Sequence, residues 1–132
     1  MTKILTFGVF DFFHLGHLRL FKQMKQYGDY LIVAVQNESY IKVYKPEAKI
    51  LYSTEERIEL VEAISIVDEV ITYDSANIDT VSKIDFDILA LGEDQNGSHF
   101  IETARWCEAV GKRVIRLKRT PGITSANIKT SI

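Results

Sequence analysis

The sequence is short of cysteine, proline, histidine and charge of one sign. Cys107 is its one cysteine, so no disulfide can close within the chain and a cysteine-rich zinc site is excluded. The 16 Lys and Arg nearly balance the 18 Asp and Glu, for a formal net charge of −2. Dedicated binders of nucleic acid or anionic membranes are strongly basic as a rule, so no nucleic-acid or membrane partner is expected. No apolar stretch approaches the roughly 18 residues of a membrane span. Lys3 and the apolar run after it resemble the start of a signal peptide. Asp11 and His14 interrupt that run, however, and no small-residue cleavage site follows. A cytoplasmic protein is the expectation.

What is present describes an ordinary folded chain. A hydrophobic fraction of 46% and a charged fraction of 26% argue against disorder. The 132 residues suit one domain, 1–132, with a core that needs no staple. Internal repeats, linkers and low-complexity tracts are absent.

Short apolar runs rich in β-branched and aromatic residues cover 3–10, 29–36, 69–73, 86–91 and 113–117, which suits buried parallel strands. Amphipathic stretches at 15–27, 54–65, 78–84, 100–110 and 125–132 predict helices. Ser53 and Glu56 form a capping box at the start of the second, and Gly28 and Gly111 stand where helix C-caps belong. Strands alternating with helices predict an α/β fold: one doubly wound, five-stranded, mostly parallel sheet. Ligands of such sheets sit beyond the carboxyl ends of the strands, at the switch point in strand order. The segments to inspect are therefore 8–17, 37–49, 92–97 and 118–125.

The first of these reads Gly8-Val9-Phe10-Asp11-Phe12-Phe13-His14-Leu15-Gly16-His17. Histidines three apart at a helix start share a side, with Cβ atoms roughly 5–6 Å apart. Gly16 leaves room for a ligand to approach the backbone, and orphan N–H groups with the helix dipole favour an anion there. Two imidazoles added to that end suit a phosphate chain. Three other uses compete with this one. Zinc would want a third ligand, and the remaining His99 has no partner in sequence. Capping or packing is a second use of the pair, and a nucleophilic histidine lacks an orienting carboxylate other than Asp11. The last segment, Arg119-Thr120-Pro121-Gly122-Ile123-Thr124-Ser125, brings an arginine and two hydroxyls to a second helix start. It suits phosphate oxygens or is an ordinary capped helix. The basic run at 112–119 has no interleaved stacking aromatics and reads as a solvated strand rim.

Together, GxFDxxHxGH and the late Arg-Thr-x-Gly-Ile-Thr-Ser resemble the cytidylyltransferase family of nucleotidyltransferases. Gly28-Asp29-Tyr30, Glu56-Arg57, Val67-Asp68-Glu69-Val70 and Gly92-Glu93-Asp94 fall in the family's order. The resemblance implies a Rossmann-like domain that joins CTP, as its Mg²⁺ complex, to a small phosphorylated alcohol such as glycerol 3-phosphate. It implies catalytic roles for His14, His17, Lys45 and Arg119, with Lys42 and Lys49 as alternatives to Lys45. Nucleotide contacts would come from Phe7, Gly8, Val9, Phe10, Gly16, Gly92, Asp94, Arg119, Thr124 and Ser125. Asp11, supporting the first loop, and Arg57 would complete the substrate-binding set. No protein metal ligand is implied, and a homodimer is, with Tyr40, Tyr44 and Tyr52 available for an interface or to cover the site. Val9, Gln95, Ala126 and Ser65 depart from the family pattern, where Thr, Trp, a third hydroxyl and a second arginine are frequent. The alternatives are an adenylyltransferase of the same superfamily, acting on a phosphosugar or cofactor precursor, and a non-catalytic nucleotide-binding module.

Overall fold

Strands and helices alternate as β1 (Lys3–Gly8), α1 (Leu15–Lys25), β2 (Tyr30–Gln36), α2 (Glu38–Tyr44), α3 (Thr54–Glu62), β3 (Glu69–Tyr73), α4 (Ile78–Val81), β4 (Ile88–Gly92), α5 (Ser98–Ala109) and β5 (Arg113–Leu117). This computed structural model describes residues 1–11, 15–44, 47, 50–93 and 95–118. The helix expected over 125–132 lies outside the described residues.

All five strands are parallel, in the order β3-β2-β1-β4-β5. The chain winds outward from β1 through β2 to β3, then returns to place β4 on the other side of β1. The switch point is therefore the β1–β4 junction, as a doubly wound sheet requires. In β2, Leu31 to Val35 are all buried, because helices cover both faces of the sheet. Successive residues serve opposite faces. Ile4, Leu31 and Val33 join a core with Phe21 and Met24 of α1 and Val61 of α3. Leu5, Ile32 and Ala34 join a second core with Val81 of α4 and Ala104 and Cys107 of α5.

Several boundaries differ from expectation, each for a physical reason. β1 stops at Gly8 rather than residue 10, because Phe10 takes a left-handed backbone, φ 56°, and turns the chain out of the sheet. β4 begins at Ile88, since Asp87 is occupied with the start of β1: its N–H donates to Lys3 O and its carboxylate accepts from Lys3 N. No helix is expected over 37–49, yet Asn37 starts α2, whose Ile41 is buried. Gly111 has the positive φ of a helix cap, 87°, but Gly28 does not. A Cβ on Gly28 would lie 2.7 Å from Thr2 O, so glycine is needed there for close approach to the chain before β1.

Asp68 fastens the entry of β3 to β2 and α1. Its carboxylate accepts from Leu31 N at 2.8 Å and pairs with the Lys25 ammonium. Burial pushes this carboxyl up, but the Lys25 and Leu31 donors together hold it below its usual value of 3.8. A depressed folded-state value contributes stability above the unfolded value, lost as pH falls through the folded one. The stability advantage of the wild type over Asp68→Asn is therefore expected to be full near neutrality and to shrink below about pH 4. Urea unfolding of both proteins across that range checks this; a constant difference contradicts it.

Candidate active site

The loop after β1 owes its shape to Gly8 and Phe10. The left-handed turn at Phe10 folds its ring back over Gly8, where an added Cβ would stand 2.5 Å from Phe10 Cζ. The same ring meets His17 edge-on, at 5.4 Å between centroids and 74°, and Phe21 at 5.6 Å and 66°. His17 is thus held in the first turns of α1 by a core aromatic, beside the β1 exit. Gly8→Ala forces the Phe10 ring aside, and overpacking of this kind costs about 1–3 kcal/mol. The expected result is a lowered urea midpoint together with reduced turnover, because His17 loses its backing.

Asp11 reaches across to the segment before α3. Its two carboxylate oxygens accept from Leu51 N and Tyr52 N, both at 2.8 Å. Ser53 then caps α3, with the reciprocal Glu56 bond of a capping box. One turn into that helix, the fully buried Arg57 gathers the neighbouring loops. Its Nη1 donates to Val9 O at 2.9 Å and Gln36 O at 2.8 Å, and its Nε to Tyr52 O at 3.2 Å. Its Nη2 donates to Thr54 Oγ1 at 3.3 Å, and that hydroxyl also accepts Glu38 N from the start of α2. Burial lowers the Arg57 pKa while the Asp11 carboxylate opposes the fall, and a guanidinium stays charged throughout. One cation therefore ties the exits of β1 and β2 to the starts of α2 and α3.

This geometry bears on two of the expectations. Arg57 was expected to bind substrate, but its guanidinium is spent on the protein's own oxygens, and Asp11 likewise binds backbone N–H groups. Both position the loop that carries the site. Phe7 and Phe10 were expected to contact the nucleotide, but their rings belong to the core: Phe7 packs edge-on to Tyr73 at 4.8 Å.

At the switch point, Gly8 ends β1 and Gly92 ends β4. Gly16 is buried within α1. Among the described residues, the expected set brought to this edge is Phe7, Gly8, Val9, Phe10, Asp11, Gly16, His17, Arg57 and Gly92. His14, Lys45, Asp94, Arg119, Thr124 and Ser125 lie outside the described residues, as does Lys49. Lys42 is on α2, four residues from Glu38, whose carboxylate it faces at 4.0 Å. Three cations of the basic run, Lys112, Arg113 and Arg116, are turned to the chain itself. Lys112 donates to Phe86 O, Arg113 lies over the Tyr27 ring and Arg116 Nη1 donates to Gln95 O.

Among the described residues no three His, Cys, Asp or Glu side chains form a group able to hold a metal ion. Among the same residues, no helix is long and apolar enough to cross a membrane.

Sequence reasoning missed the work of Gln95. Its Oε1 accepts Gly92 N at 2.9 Å and its Nε2 donates to Phe7 O at 2.7 Å, joining the ends of β4 and β1. The only signal was its departure from the residue type expected at that place.

Known proteins resemble the chain in sequence and in fold. A family model described as cytidylyltransferase-like matches residues 5–131. The chain is 36% identical over 131 residues to glycerol-3-phosphate cytidylyltransferase of Bacillus spizizenii, covering 98% of this chain and 95% of that one. It is 41% identical over 118 residues to FAD synthase of Ferroglobus placidus, covering 88% and 72% respectively. Among solved structures, the lipopolysaccharide core biosynthesis protein of Thermoplasma volcanium superposes with a TM-score of 0.73 at 27% identity, covering 91% of this chain and 97% of that one.

Proposed function

The chain belongs to the cytidylyltransferase-like family of nucleotidyltransferases, and on that premise we propose that it transfers CMP from Mg·CTP to glycerol 3-phosphate or a similar small phospho-alcohol. The products are a CDP-alcohol and pyrophosphate. The observation that carries this reading is the likeness, over nearly the whole of both chains, to glycerol-3-phosphate cytidylyltransferase.

The chemistry accounts for the residue types. A phosphate monoester is already an anionic nucleophile, so its oxygen attacks the α-phosphorus without a strong general base. The new P–O bond forms as the bond from the α-phosphorus to the bridging oxygen breaks, and that oxygen leaves with pyrophosphate. The barrier lies in bringing two polyanions together and in stabilising the charge that moves to the leaving group. His17, at the anion-favouring start of α1, supplies a donor to that charge. His14, Lys45, Arg119, Thr124 and Ser125 complete the clamp in this reading, with Gly92 and Asp94 beside the nucleoside. A magnesium ion would arrive with the triphosphate and offset part of its charge.

A second reading, adenylyl transfer from ATP, is favoured by the 41% identity to FAD synthase. Pyrophosphate release with each nucleoside triphosphate, against a panel of phospho-alcohols and flavin mononucleotide, separates the two. Release with CTP and glycerol 3-phosphate is the expected result. Release only with ATP selects the second, and none with any pair overturns both. The same reading places the enzyme in the cytoplasm as a homodimer, with the exposed Tyr40, Val43 and Leu51 available to an interface. Sedimentation at micromolar concentration tests the assembly.

A further inference from the structure

The last β1–β4 pair is Thr6 with Ala90. Carried one step further in the same register, a parallel ladder would join Gly92 N–H to Phe7 C=O. Neither group makes that bond. Gly92 N donates to Gln95 Oε1 and Gln95 Nε2 donates to Phe7 O, so a side-chain carboxamide stands where the next rung of the sheet would be. Its orientation is forced: the N–H of Gly92 requires the oxygen and the C=O of Phe7 requires the nitrogen, so the amide cannot flip. The residue is itself anchored, because its N–H donates to Gly92 O at 3.1 Å and its carbonyl accepts from Arg116 of β5. Next to this inserted amide are Gly8 and Gly92, the last residues of the two strands, where β1 and β4 part.

The geometry points to Gln95 as a positioning residue that holds β1 and β4 apart at the switch point and so sets the fit of the donor nucleotide's nucleoside. This rests on the nucleotidyl-transfer reading above. A side chain that only closed the sheet would affect stability alone. One that sets the opening affects nucleotide affinity and choice, because backbone separation at a crevice decides which ring system enters.

The test compares the full-length wild type, Gln95→Met and Gln95→Glu. Steady-state kinetics with glycerol 3-phosphate are measured against CTP and ATP, and calorimetric Kd values are taken for both nucleotides. Gln95→Met keeps the length and loses both hydrogen bonds. It is expected to raise the KM and Kd for CTP about ten-fold with kcat within about three-fold, and to shift the CTP-to-ATP ratio of kcat/KM about five-fold. Gln95→Glu lacks the donor for Phe7 O while ionised but regains both bonds when protonated. Its penalty relative to wild type at the same pH is therefore expected to match Gln95→Met near about pH 8 and to shrink towards about pH 6, since partial burial raises a carboxyl pKa. Unchanged KM, Kd and nucleotide ratio in variants that melt like the wild type overturn the inference, as does a loss confined to kcat. If Gln95→Met does not fold, the pH response of Gln95→Glu decides. A wild type that binds CTP but transfers to no phospho-alcohol overturns the acceptor reading alone, and the Kd series still decides the role of Gln95. A wild type that binds neither nucleotide overturns both.

Discussion

Replacing His17 by alanine is expected to lower kcat by about 10²–10³, the usual cost of losing one well-aimed donor to developing charge. The side chain lies in the first turns of α1, beside the exit of β1, with the Phe10 ring against it. Removal also deletes that edge-on aromatic contact, worth about 0.5–1.5 kcal/mol, so packing and chemistry must be separated. His17→Phe retains a ring against Phe10 and loses every donor; its turnover should be as low as that of His17→Ala while its urea midpoint stays near the wild-type value. His17→Asn retains a donor and should recover part of the rate. Stopped pyrophosphate assays with CTP and glycerol 3-phosphate, beside unfolding curves, check all three. More than about a tenth of wild-type turnover in His17→Ala contradicts the assigned role, given the size of such donor effects.

The larger effect on stability is expected at Arg57. Truncation to alanine removes four hydrogen bonds from one charged donor and strips Val9 O and Gln36 O of their partner. Hydrogen bonds to charged groups contribute about 1.5–3 kcal/mol each, and unmet buried acceptors add a desolvation cost. A loss of at least about 3 kcal/mol is expected, a large share of the stability of any single domain. Lysine does not substitute, because one ammonium on a flexible stem cannot reach oxygens set around a planar fork. Urea unfolding measures the loss, and a change below about 1 kcal/mol in Arg57→Lys would show that the hub is dispensable. Turnover should fall as well in any Arg57 variant that folds. The Val9 carbonyl is fixed by this guanidinium, and a shift of about 1 Å in a positioning element can cost about 10²-fold.

Arg57 and Gln95 show where reading the sequence was limited. An arginine on a helix next to predicted substrate loops is chemically suited to a phosphate, and nothing in its neighbours along the chain says otherwise. Three of its four partners are the carbonyls of residues 9, 36 and 52, and only folding brings them around one guanidinium. Gln95 is similar: its amide is meaningful only because β1 and β4, more than eighty residues apart, part company beside it. α2 was missed for a different reason. Among the described side chains of α2 only Ile41 is buried, too short a pattern to register as helical periodicity.

The sequence by itself determined the alternation of strands and helices, the parallel sheet, and the glycine-and-histidine segment at its first strand exit. Those features are local: burial of both sheet faces writes continuous apolar runs, and a helix start writes its cap. The family resemblance rests on the same local strings. Tertiary structure alone decided that Asp11 and Arg57 brace the loop, that the Phe7 and Phe10 rings are core, and that an amide fills the missing rung between β1 and β4. A hydrogen bond is satisfied by whichever group folding brings within about 3 Å, so the use of a polar side chain depends on contacts that sequence neighbours do not encode.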